Sequence, residues 1–185
     1  MKHVVFVAPF FMTQTVRFLG ALVSEPGARV SLVHQESLDR LDAGVRERLA
    51  ASRRLPDVFD PRALVAGVGA LAAETGAAPQ RLLGILENLQ EILAEARVRL
   101  GLPGLDPDRA LGFRDKGAMK DRLRSAEVPC AAAAKARSPE EAAAVARELG
   151  FPLVAKPPDG AGAKQTFRIP DADALEDALL RWPPH

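Results

Sequence analysis

The chain holds a single cysteine, Cys130, in 185 residues. An internal disulfide is excluded, and with three histidines far apart in sequence no Cys/His zinc site is on offer. Such cysteine usage fits a reducing compartment, and the expected location is cytoplasmic. Charge of one sign is lacking too: 25 Lys and Arg stand against 24 Asp and Glu, interleaved along the chain, for a formal net charge of +1. Neither nucleic acid nor an anionic membrane is an expected partner. No apolar run approaches the roughly 18 residues that a membrane span requires. The opening MKHVVFVAPFF is followed too soon by the polar and charged TQTVRF to be a signal sequence. What remains, 48% hydrophobic and 26% charged residues, is the composition of a soluble globular protein of one large domain or two small ones.

What the sequence does contain is an alternation of strand and helix patterns. Val4 to Ala8 is a compact β-branched and apolar run closed by Pro9, which predicts a buried parallel strand. Met12, Val16, Leu19 and Val23 recur at helical spacing until Pro26-Gly27, and residues 29–34 predict the next strand. A βαβ opening of this kind implies a right-handed crossover in a mostly parallel α/β sheet. Leu38, Leu41, Val45 and Leu49 give the charged stretch 36–57 one helical stripe. A short strand is expected around Val58, then a helix carrying Leu64, Val68 and Leu71.

From Leu82 onward two patterns compete. Leu82, Leu86, Leu89, Leu93, Ala96 and Leu100 keep the spacing of one long helix, yet residues 82–86 are apolar enough for a central strand that turns at Glu87. Gly101 to Gly104 with Asp106-Pro107 marks a boundary between a leading domain, 1–105, and a second, 106–185. The second shows a helix over 115–126, an extended stretch over 129–135, and a helix opened by Ser138, Pro139 and Glu141 as a capping box. Strands are expected over 152–156 and 165–169, and a last helix opened by Asp173 should turn Leu175, Leu179 and Trp182 inward. An antiparallel pair followed by a helix with no returning strand predicts a chain cut short.

Between those strands, Asp159-Gly160-Ala161-Gly162-Ala163 has so little side chain that its N–H groups can lie against phosphate oxygens. The spacing is that of neither a P-loop nor a Rossmann fingerprint. An ordinary hairpin turn explains Asp159-Gly160 equally well. Lys156 stands in an apolar run, where a cation is rare unless paired. Lys116 follows the helix cap Asp115 and puts positive charge at the positive helix end, which a bound anion would make favourable and which solvation also tolerates. Lys164 and Arg168 read as exposed strand residues, Cys130 as a small buried apolar one, and Glu87-Asn88 as a helix start.

Three segments in order then carry a family resemblance: Leu100-Gly-Leu-Pro-Gly104, Asp115-Lys116 opening a helix that ends in Val128-Pro129-Cys130, and Phe151-Pro-Leu-Val-Ala-Lys156-Pro before the small-residue loop. Together they resemble ATP-grasp enzymes, in particular biotin carboxylase and the large subunit of carbamoyl phosphate synthetase. The resemblance implies a Rossmann-like pre-ATP-grasp domain with a parallel sheet, over 1–105, followed by the first, incomplete α+β part of an ATP-grasp domain, over 106–185. It favours the strand at 82–86. It makes Lys116, Lys156, Asp159, Gly160, Ala161, Gly162 and Ala163 the ATP-binding residues, the loop serving as a lid over the phosphates. It also implies ligation of a carboxylate to an amine or thiol through an acyl phosphate.

Pro157-Pro158 and Lys164-Gln165 depart from the more Gly-rich loop of the carboxylases. The adenine-binding strand and the later magnesium ligands have no counterpart here, so no catalytic or metal residue is assigned. ATP is the expected ligand, Mg2+ is expected only with the missing half, and this chain alone is not expected to catalyse ligation. A second polypeptide or the missing lobe would complete it. The alternative is a non-catalytic nucleotide-binding or scaffolding α/β module, and beyond that an unrelated α/β protein with a decorative hairpin.

Overall fold

The computed structural model describes residues 1–160 and 165–180. Two compact units divide the chain, Met1–Ala110 and Leu111–His185. In the first, β1 (Lys2–Ala8) pairs in parallel with β2 (Ala28–His34), Val4 opposite Val30, and on its other side with β4 (Arg81–Leu83), Val5 opposite Leu82. The strand β3 (Ala51–Arg54) joins beyond β2, giving the order β3-β2-β1-β4 among the described residues. The helices are α1 (Thr13–Val23), α2 (Ala43–Arg46), α3 (Pro61–Thr75) and α4 (Gln90–Leu100).

Both faces of this sheet are covered, which is why β1 is apolar without alternation. Phe6 and Ala8 pack with Leu19, Val30, Leu32 and Leu41 on one face, while Val5 and Val7 pack with Leu64, Val68, Leu71, Leu82 and Leu93 on the other. Burying a Leu or Phe in this way contributes about 1.5–3 kcal/mol each. Strand order reverses beside β1: the chain winds outward through β2 and β3, then returns to β4.

Two expectations are corrected here and one choice is resolved. The short strand is β3, at Ala51–Arg54, and not around Val58. Its Ala-Ser-Arg-Arg carries no apolar alternation, because its last two residues are exposed at the sheet edge. Val58 is fully buried in the turn that follows, its N–H donating to Gln35 Oε1 at 3.2 Å. The stretch 36–57 is not one helix but a 3-10 turn at Leu38–Arg40 and the short α2, each started by its own cap, Ser37 and Asp42. Leu38, Leu41, Val45 and Leu49 nonetheless pack on one core. Between the competing patterns after Leu82, the strand wins, shortened to Arg81–Leu83, with a 3-10 turn at Glu87–Leu89 leading into α4.

The division between the units falls within α5 (Pro107–Arg114), a helix that the Asp106-Pro107 pair had announced only as a boundary. Asp106 Oδ1 accepts the Arg109 N–H at 2.8 Å, so the pair is a helix cap followed by proline at the first helical position. The second unit holds α6 (Lys116–Ser125), α7 (Pro139–Leu149), β5 (Leu153–Ala155), β6 (Phe167–Ile169) and α8 (Ala172–Leu180). The strands β5 and β6 pair antiparallel, Leu153 opposite Ile169 and Ala155 opposite Phe167, and these four side chains pack with Ala146, Leu175 and Ala178.

Ser138 Oγ accepts the Glu141 N–H as expected, while the Glu141 carboxylate reaches the N–H of Arg137, one residue before the cap. Helix α8 is capped by Asp171, which accepts the Ala174 N–H at 2.9 Å, and not by Asp173. The stretch 129–135 forms no strand. Instead Lys120 and Arg124 donate to the carbonyls of Ala131 and Ala133. Trp182 lies outside the described residues.

Candidate functional site

Helix α6 begins where Asp115 caps it. Asp115 Oδ1 accepts the Ala118 N–H at 2.8 Å, and Lys135 Nζ lies 3.0 Å from the same carboxylate. The Asp115 carboxyl is held below the usual aspartate range, chiefly by the Ala118 N–H; partial burial opposes this, and Lys135 adds to it. Lys135 crosses the first turn so closely that a Cβ on Gly117 would stand 2.1 Å from its Cε. Nothing local in the sequence marks Lys135, which stands 20 residues from its partner.

Lys116 occupies the first helical position and is tied to the start of the small-residue loop by three bonds. Its N–H donates to the Pro158 carbonyl at 3.0 Å, and its ammonium donates to Gly160 O at 2.6 Å and to Pro158 O at 3.3 Å. Asp159 is largely exposed, with Arg114 Nη2 3.8 Å from its carboxylate; the Arg114 side chain is 13% exposed. Arg114 is a second residue that sequence reasoning passed over, because it sits at the end of an unanticipated helix.

Lys156 falls one residue beyond β5, not inside it. The strand alternates, Leu153 and Ala155 inward and Val154 60% exposed, so Lys156 continues the outward row with Val154 and its cross-strand partner Arg168. Lys156 is exposed and makes no hydrogen bond or ion pair among the described residues. Its solvated position removes the desolvation problem that an apolar run had suggested. Ala161, Gly162 and Ala163, with Lys164, lie outside the described residues. The structure thus brings Lys116, Asp159 and Gly160 together and adds Arg114 and Lys135 beside them.

Chemically this is a cluster of ammonium and guanidinium groups around two carboxylates and a helix N-terminus. The Lys116 ammonium is held by neutral carbonyls, so an entering anion can replace these acceptors without breaking an ion pair. Among the described residues no three His, Cys, Asp or Glu come together as a metal site, so the residues present do not make a magnesium cage. Nor is any helix among them long and apolar enough to cross a membrane. Shallow depressions of about 290 and 350 Å3, at Ala43, Arg46 and Glu47 and at Gln35, Arg54, Leu55 and Pro56, are lined by no residue of this cluster.

No family model matches the sequence. Over 81 residues the chain is 35% identical to an L-arginine-specific L-amino acid ligase of Bacillus subtilis, a match covering 44% of this chain and 20% of that protein. Its fold resembles that of the L-amino acid ligase of Bacillus licheniformis, with a TM-score of 0.72 at 19% identity over 98% of this chain and 42% of the ligase. It also resembles an N5-carboxyaminoimidazole ribonucleotide synthetase solved with ADP, with a TM-score of 0.74 at 13% identity over 97% of this chain and 44% of the synthetase. The chain therefore spans under half the length of these proteins.

Proposed function

We propose that this chain, whose α/β fold is shared with the ATP-grasp enzymes, is the ATP-binding portion of an ATP-grasp ligase that joins a carboxylate to an amine or thiol. The carrying observation is the Lys116 ammonium, 2.6 Å from the Gly160 carbonyl, which seats a helix-start cation against a loop of small residues. On this reading Lys116 and Lys156 neutralise the nucleotide phosphates, and the backbone N–H groups of Asp159 to Ala163 lie over them. A leading domain of about residues 1–105 carries the clamp portion that follows, and the whole works in the cytoplasm.

The complete reaction balances in two steps. A carboxylate oxygen attacks the γ-phosphorus and ADP leaves, forming an acyl phosphate; the amine or thiol then attacks the acyl carbon and inorganic phosphate leaves. The contribution of this chain is to bind and orient the triphosphate and to offset its charge. Mg2+ would enter with residues supplied by the rest of the clamp or by a second polypeptide. A nucleotide-binding or scaffolding role without turnover is the other reading.

Calorimetric titration of the full chain with ATP and with ADP tests the reading. Saturable binding is expected, weakened about tenfold or more in Lys116→Met and in Lys156→Met, as for the loss of a charge-assisted contact. No saturable binding of either nucleotide, or unchanged affinity in both variants, would remove it. Binding without ATP hydrolysis in the presence of carboxylate and amine would favour the non-catalytic module.

A further inference from the structure

Lys135 reaches the start of α6 from outside the helix. The stretch that carries it runs beside α6, where Lys120 Nζ donates to the Ala131 carbonyl at 2.6 Å and Arg124 Nη2 to the Ala133 carbonyl at 3.1 Å. The Lys135 ammonium itself stands 3.0 Å from each Asp115 carboxylate oxygen. Asp115 Oδ1 also accepts the Ala118 N–H, the bond that caps the helix. That cap is complete without the lysine, and an ammonium beside the positive helix end is unfavourable on its own. What Lys135 adds is a second anchor, holding the carboxylate from the neighbouring stretch as well as from the helix.

The first turn of α6 is shaped to admit this arm. A Cβ on Gly117 would stand 2.1 Å from Lys135 Cε and 2.9 Å from its Nζ, so the arm fills the space that a side chain would take. Glycine is a poorer helix former than alanine, and at this position helix stability yields to room. Lys116 lies between the anchored carboxylate and the glycine. Its N–H meets the Pro158 carbonyl at 3.0 Å and its ammonium the Gly160 carbonyl at 2.6 Å. Because Lys116 directly follows Asp115 in the chain, whatever fixes Asp115 also aims both of these groups.

We infer that Lys135 is a positioning residue: by anchoring Asp115 across Gly117, it sets the direction in which Lys116 meets the nucleotide phosphates. The inference rests on the nucleotide reading of Lys116, and adds to it a residue that acts through Asp115 without touching phosphate.

The test is calorimetric titration of the full chain and its variants with ATP, set beside their urea midpoints. The Lys135 side chain is 57% exposed, and exposed ion pairs are weak, so Lys135→Ala should reduce ATP affinity about threefold to fivefold with little change in midpoint. Gly117→Ala separates position from charge, since it displaces the arm, keeps both charged groups and favours the helix. It should weaken ATP binding to a similar degree while the midpoint stays level or rises, so that affinity and stability part company. Placed in the Lys135→Ala background, Gly117→Ala should cause no further loss, because the arm it displaces is gone. Unchanged affinity in Lys135→Ala would overturn the inference. So would full affinity in Gly117→Ala, which would leave Lys135 acting by charge alone, or midpoints that fall in step with affinity in both variants, which would leave it only holding the helix together. An unaltered chain that binds no ATP would instead remove the nucleotide reading of Lys116, and this inference with it.

Discussion

Lys116 and His34 show how differently two charge-bearing residues disclose themselves. Lys116 was marked by its neighbour: a lysine directly after a helix cap stands against the helix dipole, and its bonds to Pro158 and Gly160 give it acceptors 42 and 44 residues away. His34 carried no such mark. Burial at the end of β2 lowers its pKa, against the pull of its 2.7 Å bond to the Glu36 carbonyl, and the nearby charge of Arg54 lowers it further. Because the folded value lies below the unfolded one, the unfolded chain takes up the proton first as pH falls. The stability associated with neutral His34 is therefore complete above about pH 6.5 and declines below it. Urea midpoints at pH 7.5 and 5.5 should differ in that direction, and His34→Gln should narrow the gap. An equal gap in the variant would show that His34 is not the titrating group.

Among the elements, those whose ends are written in side chains were legible. Ser138 with Glu141, and the β-branched run of β1, specify their own structure through local bonds and burial on both faces. The elements that were misread depend on partners distant in sequence. The strand β3 is polar because it is an edge, whereas β4, expected from the apolar run after Leu82, pairs with β1 and is also bonded by Arg97. The buried Arg97 donates from Nε and Nη2 to the Leu82 carbonyl at 3.0 and 2.9 Å. Gly104 makes room for this arm: its φ is 152°, and a Cβ there would stand 2.6 Å from Arg97 Cδ. Gly104→Ala should cost about 1–3 kcal/mol by displacing that arm and straining the backbone. A double-mutant cycle with Arg97→Met in urea should show non-additivity. An unmoved midpoint in the single variant would mean that the arm adapts freely.

At the scale of the whole molecule the two units are unequally built. Of the largest fully buried side chains, those of β1, β2, α1, α3, β4 and α4 fill the first unit, whereas the second contributes Ile169. A two-stranded sheet over a small core is marginal by itself. Hydrogen exchange should therefore be at least about tenfold faster for the amides of β5 and β6 than for those of β1 and β2. Equal protection would indicate that the chain opens as one cooperative body.

The sequence by itself determined the α/β class, the buried central strand, the end of α4 at Gly101, and the candidacy of Lys116 and Gly160, because each is set by local spacing, capping or backbone freedom. Tertiary structure alone decided which edge β3 and β4 occupy, and that Arg114 and Lys135 join Lys116. Those depend on contacts between residues tens of positions apart, and the free energy of such contacts comes from burial and desolvation, which no short window of sequence encodes.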